Sequence, residues 1–192
     1  MSDTTTTSRI FKGTLIPLPG VYTLDPAHTF AEFMTQHLVV GHVRGRFDEL
    51  TGKITIAEDP TLSSLEVSIE TTSVSTHNAK RDEDLRSSRF FHVEKFPTMT
   101  YQSTTIAAEL DGQWTIEGTL TIRDVSVPVP LSVRITGIID DPMGNVRVGI
   151  HARAQASRRD FGLLADLERE SGGMLLGKDV VITVDAEALL QK

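Results

Sequence analysis

The sequence predicts an all-β fold, a closed or nearly closed antiparallel barrel of about eight strands with one or two short helical insertions. Three observations carry that expectation. From Val21 onward apolar residues recur at every second position. The alternation is one-sided, apolar against polar, which is the pattern of antiparallel sheets with one wet face. Short turn signals join the segments, and closing such a sheet leaves no long exposed edge.

Residues 2–8 are polar and of low complexity, so a disordered start is expected. Phe11 to Pro19 carries two prolines among apolar residues, which suits an arm laid on a surface rather than a core element. Residues 1–20 are therefore expected to be a flexible N-terminal arm, and residues 21–192 one barrel domain. In the opening strand one face is Thr29, Ala31, Phe33, Thr35 and His37; the other is His28, Phe30, Glu32, Met34 and Gln36. The first face lacks the carboxylate and is expected to point inward. Leu65, Val67 and Ile69 then alternate with Glu66, Ser68 and Glu70. Asn78 to Ser88 is charge-dense and reads as a short helix, with Thr76 as its N-cap.

Further on, Trp114, Ile116, Gly118, Leu120 and Ile122 share one parity, and the turn Asp111-Gly112 precedes them. From Val127 to Ile139 the odd positions read as a single apolar face. Pro142 to Asn145 forms the next turn signal, and Val146, Val148, Ile150, Ala152, Ala154 and Ala156 follow in register. Leu163 to Glu170 is expected to form a helical turn before the Gly172-Gly173 break. Val180, Ile182, Val184 and Ala186 close the series.

Composition narrows the function. With 192 residues, 19 Lys+Arg and 26 Asp+Glu, the chain carries a net charge of −7, unlike a general nucleic-acid binder with its basic face. The absence of cysteine excludes thiol catalysis, Cys-ligated zinc, iron–sulfur clusters and disulfide scaffolds. No apolar run approaches the roughly 18–20 residues of a membrane span, and Met1 to Lys12 lacks a signal-peptide core, so a cytoplasmic protein is expected.

No metal site is expected. His28 and His37 have opposite parity on one strand, His151 lies on a polar face, and no His-x-His or His-Glu-x-x-His occurs. Gly172 to Lys178 mimics a phosphate loop, but Asp179 stands where Ser or Thr is required and a strand follows instead of a helix. There is no Gly-x-Ser-x-Gly. The small residues Gly118, Ala152, Ala154 and Ala156 suggest a bore at one end of the barrel; the alternative is that Phe90, Phe91, Phe96 and Phe161 fill it.

Motifs spread along the chain resemble those of the YceI-like, polyisoprenoid-binding family of lipocalin-like proteins. They are Tyr22-Thr-Leu-Asp25-Pro-Ala-His28-Thr-Phe-Ala-Glu-Phe33, His37, Val43-Arg-Gly45-Arg-Phe47 and Arg81-Asp82-Glu-Asp-Leu85-Arg86-Ser-Ser-Arg-Phe90-Phe91. Phe96-Pro97-Thr-Met-Thr-Tyr101, Gly118-Thr-Leu120-Thr121-Ile122 and Arg158-Arg159-Asp160-Phe161-Gly162-Leu163 complete the set. The similarity runs from about Val21 to Ala188. It implies an elongated eight-stranded lipocalin-like barrel, often dimeric, whose pore holds a long apolar molecule such as an isoprenoid, an isoprenoid quinone or a fatty-acid amide.

On this reading the protein binds, sequesters or transports such a ligand without catalysis, and no other cofactor is expected. The expected pore lining is Ala31, Phe33, Thr35, His37, Phe90, Phe91, Phe96, Ala152, Ala154, Phe161 and Leu163. Arg86 and Arg158 are candidates for contact with a polar head group. Two alternatives stand beside it. One is an enzyme acting on an apolar ligand with pore His37 as base; the other is an adaptor that binds proteins through its outer surface.

Overall fold

The alternating segments pair, each with the next, into a closed ring. The computed structural model describes residues 7–38, 40–164 and 176–191. A short hairpin, β1 (Ser8–Phe11) and β2 (Thr14–Pro17), precedes the barrel. The first three barrel strands are each built of two segments meeting at a kink. They are β3 (Gly20–Leu24) with β4 (Phe30–His37), β5 (Gly41–Phe47) with β6 (Leu50–Ile56), and β7 (Ser64–Glu70) with β8 (Val74–Ser75). Helix α1 (Ala79–Arg86) follows, then β9 (Thr98–Ala108) and β10 (Gln113–Ile122). The short β11 (Val125–Pro128), β12 (Leu131–Asp140), β13 (Val146–Ser157) and β14 (Leu176–Leu190) complete the order.

Every pairing is antiparallel, and β14 closes the ring by pairing with β13 on one side and with β3 and β4 on the other. This is an eight-stranded up-and-down barrel. With 15 residues, β14 is ~50 Å long, so at a tilt of ~40° the barrel stands about 35–40 Å tall. Among the described residues, no helix is long and apolar enough to cross a membrane.

The topology sorts the connections to two ends. The connection carrying α1, the turn into β11 and the 3₁₀ turn Arg158–Phe161 lie at one end, the helix end. The turns 57–63, 109–112 and 141–145 lie at the other, where the β1–β2 hairpin also packs. The two turns read from sequence are tightly built. Asp111 and Gly112 have φ of 58° and 73°, the left-handed values that let a three-residue loop, Leu110 to Gly112, reverse the chain between β9 and β10. The Asp141 carboxylate accepts from the Met143 and Asn145 backbone N–H groups, both at 2.9 Å.

Four sequence expectations need correction. Helix α1 is capped by Asn78, whose side chain accepts from the Arg81 N–H at 3.1 Å. Thr76 instead donates to Asp82 from both N–H and hydroxyl and accepts from Arg81 Nε, so it anchors the helix laterally. The single strand read across Val127 to Ile139 is broken twice, although its apolar face holds from Val127 through Ile135. Val129 and Pro130 separate β11 from β12, and a bulge at Thr136 shifts the register between Ile135 and Gly137. The extra residue reverses parity, so Ile138 packs inward and Ile139 is 55% exposed.

The third concerns the expected helical turn over Leu163 to Glu170. Leu163 and Leu164 are not helical, and residues 165–170 lie outside the described residues, as do Gly172 and Gly173; the helical turn observed here is the 3₁₀ turn before them. The fourth concerns the arm. Ile16 is only 2% exposed, within the same core cluster as Trp114 and Val133, and Phe11 stacks on Trp114 with centroids 5.9 Å apart. The hairpin is thus tied into the barrel core.

Charge pins the kink between β3 and β4 to the closing strands. Asp25 donates its backbone N–H to Glu187 O at 2.8 Å. The Arg147 guanidinium, at the start of β13, donates to both the Asp25 and Glu187 carboxylates and lies 3.5 Å from Asp141. That guanidinium, and then His28, hold the Asp25 carboxyl well below the usual range, at about 2. A depressed carboxyl contributes stability that is full above about pH 4 and lost as pH falls through its folded value. The melting temperature of the wild type should therefore exceed that of Asp25→Asn at pH 7, and the two should converge as pH falls from about 4 to 2. Thermal melts across that range check this; a constant gap would remove the ion cluster as its source.

Candidate functional site

Parity aims the apolar faces of all eight strands at one cavity of about 440 Å³ running inside the barrel. From β4 it is lined by Ala31, Phe33, Thr35 and His37, the face expected inward, and Glu32 of the other face also reaches the wall, while Gln36 is exposed. Leu65, Val67 and Ile69 of β7 and Trp114, Ile116, Leu120 and Ile122 of β10 continue the wall. Opposite them lie Ile150, Ala152, Ala154 and Ala156 of β13 and Val180 to Ala188 of β14 at every second position. The alanines keep that side of the barrel thin. Where Leu or Ile would project into the middle, a methyl group leaves the space open.

Gly118 has a different role from the one expected. Its missing side chain is occupied by Tyr101, because a Cβ there would lie 2.4 Å from Tyr101 Oη. The Tyr101 hydroxyl reaches the Ile116 and Val129 carbonyls at 3.1 and 3.0 Å, and burial pushes its pKa up. Gly118 therefore lets a tyrosine lock β10 to the segment between β11 and β12. It does not widen the bore.

At the helix end the lining is aromatic and charged. Phe90, Phe161 and Leu163 are buried and line the cavity, and Phe91 meets Phe47 edge-on at 5.4 Å. Arg158 also lines it, 7% exposed, with its guanidinium 5.6 Å from the Phe90 ring centroid and Nη1 donating to Gly177 O at 3.4 Å. Arg81 and Asp84 of α1 reach the same wall. The charged and histidine lining residues, Glu32, His37, Arg81, Asp84 and Arg158, come from β4, the segment of the first strand nearer the helix end, from α1 and from the turn after β13. The opposite end is lined by Ile16, Pro17 and Pro60.

Two expected positions lie elsewhere. Phe96 is outside the lining, packed edge-on against His92 with Lys95 Nζ 4.9 Å from its ring. Arg86 donates to the Thr72 and Val74 carbonyls at 2.9 and 2.6 Å, so its charge ties α1 to the kink between β7 and β8 instead of reaching the cavity. Conversely, Ile16, Phe47, Leu50, Met99 and Tyr101 line the cavity without having been singled out as lining. Met99 and Tyr101 were visible as a parity in Thr98 to Ser103. Phe47 and Leu50 have opposite parity because Asp48 and Glu49 form the kink between β5 and β6.

As for metals, Asp25, His28 and Glu187 bring one ligand atom each within 4.8 Å of one another. Arg147 is bonded to both carboxylates there, so the group is an ion-pair network.

A family model described as the YceI-like domain matches residues 22–188. Protein YceI of Salmonella newport (strain SL254) is 36% identical over 166 residues, covering 86% of this chain and 83% of that protein. Protein YceI of Salmonella arizonae matches with the same identity and coverage. The crystal structure of the Campylobacter jejuni YCEI protein superposes with a TM-score of 0.70 at 26% identity, covering 82% of this chain and 90% of that one. Burkholderia cenocepacia BcnA superposes with a TM-score of 0.74 at 14% identity, covering 85% and 98%. A polyisoprenoid binding domain from Saccharophagus degradans does so with 0.67 at 18%, covering 88% and 98%. At those identities the last two show a shared fold.

The Tyr101 lock makes a prediction about the wall. Tyr101→Phe removes the one hydroxyl proton that the two carbonyls share and should lower unfolding free energy by about 1–2 kcal/mol. Gly118→Ala should cost more, because its Cβ would also lie 2.7 Å from the Gln102 carbonyl oxygen. Urea unfolding of both variants measures this; a neutral Gly118→Ala would refute the close approach.

Proposed function

The chain belongs to the YceI-like domain family, and from that premise we propose that it binds, and sequesters or transports, a long apolar molecule inside the barrel without catalysing its conversion. The ligand classes we infer are an isoprenoid, an isoprenoid quinone or a fatty-acid amide. One observation carries the reading: a continuous carbon-lined cavity of about 440 Å³, whose charged and histidine lining is gathered toward one end. The volume falls within the ~300–1,000 Å³ of small-molecule sites. Burial of a hydrocarbon chain supplies ~0.8 kcal/mol per CH₂, so affinity needs no directed polar chemistry along the bore. A solved relative described as a polyisoprenoid binding domain supports the ligand class.

In this reading the tail lies among Ala31, Phe33, Thr35, Ala152 and Ala154, with Phe90, Phe91, Phe161 and Leu163 around the chain where it nears the helix end. Arg158, and His37 toward the same end of the lining, meet the head group. The non-enzymatic reading is supported by a solved relative that is described as a binding domain.

Extraction of the purified protein with organic solvent, followed by mass spectrometry, should release a long-chain apolar molecule. The same molecule added back should raise the melting temperature. Ala154→Phe, which fills the bore from β13, should fold yet yield no such molecule. If none co-purifies with the wild type and no added chain protects it, the carrier reading fails.

A further inference from the structure

We propose that the N-terminal hairpin is the floor of the bore and that Ile16 sets the length of chain the barrel accepts, an inference that rests on the binding role proposed above. The hairpin lies before residues 22–188, the part matched by the family model, so the family pattern does not account for it. It nevertheless lies across the end of the barrel opposite α1. Arg9 Nη2 donates to Ala57 O at 2.6 Å, in the turn between β6 and β7. Thr14 packs against Gly112, in the turn between β9 and β10. Phe11 stacks on Trp114, and β2 also touches β12.

Within that hairpin the alternation divides the side chains. Ile10 and Leu15 are cross-strand partners that face outward, 68% and 48% exposed. Ile16 faces the other way, 2% exposed, and together with Pro17 it lines the cavity. Among the described residues no charged lining residue lies at this end; Ser63 lines it too, with its Oγ accepting from the Ala57 N–H, so the terminus of a hydrocarbon tail meets an uncharged, largely carbon wall there. The charged and histidine lining fixes the head at the helix end. The distance from there to Ile16 then limits how many carbons can be buried.

Each methylene buried in the bore should tighten binding about four-fold, and the gain should stop once the tail reaches Ile16. Primary fatty amides of increasing length, bound to the full chain and followed by thermal shift and calorimetry, read the position of that stop. Ile16→Ala should move it to longer amides and improve binding of amides just past the wild-type optimum by roughly ten-fold. Ile16→Phe should move it to shorter ones. The opposed shifts separate a ruler from a stability effect, because a weakened barrel loses affinity at every length alike. If either variant fails to fold, the shift of the other decides. An unmoved stop in a folded variant overturns the ruler while leaving the carrier reading standing; a wild type that binds no amide or isoprenoid of any length overturns the carrier reading itself.

Discussion

Closure of the ring at β14 is the constraint on which the rest depends. This strand pairs with β13 from Arg147↔Leu189 to Ser157↔Asp179 and, along its other edge, with both segments of the first strand. An open eight-stranded sheet would expose two edges and one broad apolar face. Once closed, the same sheet has neither, and the apolar face becomes an interior. The first strand bends at Pro26–His28 in the middle of this seam, which would leave it weakly held. The Asp25 N–H bond to Glu187 and the Arg147 bridges to Asp25 and Glu187 hold the bend against the closing strands.

Closure makes an interior but does not decide whether it is filled. That is settled by residue size on neighbouring strands. On one side Tyr101, Trp114, Ile116 and Leu120 project into the core, and Tyr101 fits only because Gly118 gives way beneath it. On the other side Ala152, Ala154, Ala186 and Ala188 answer them with methyl groups. Tall residues facing short ones leave a lane instead of a packed middle. Such a lane, walled by carbon, has nothing to hold water and loses the contacts that packing would provide. An apolar chain restores both.

Much of this was legible in the sequence, because a period of two fixes the face of each residue as soon as the strand is identified. The inward face of β4, the alanine run of β13 and the lining by β7, β10 and β14 all follow from parity alone. What parity could not show was where it changes. The bulge at Thr136 exchanged Ile138 and Ile139, and the Asp48-Glu49 kink placed Phe47 and Leu50 on the same side despite their odd spacing. Such shifts arise from long-range register, which no local pattern records. Phe96 and Arg86 illustrate another limit. Their types suit a pore, but Phe96, between α1 and β9, is turned toward Lys95 and Arg123, and Arg86, the last residue of α1, toward backbone carbonyls. Ile16 was hidden for a third reason: a two-by-four-residue hairpin that ends on a proline has too few positions to show its period.

The two ends of the barrel are chemically unlike, and that asymmetry follows from chain connectivity. In an up-and-down barrel all connections of one sense emerge at the same end. Here the turns of one sense are tight: 109–112 and 141–145 each join strands within a few residues. The other sense includes the 22-residue connection from β8 to β9, with α1 within it, and the 3₁₀ turn after β13. Long connections can fold back over the opening and bring Arg81, Asp84, Phe90, Arg158 and Phe161 to the cavity wall. The turns 109–112 and 141–145 do not, and from the longer turn 57–63 Pro60 and Ser63 reach the wall, so much of the opposite end would stay uncovered without a separate element. The hairpin β1–β2 is that element, and its inward residue is apolar. Charge therefore reaches the cavity wall from the helix side alone among the described residues, an asymmetry that topology sets.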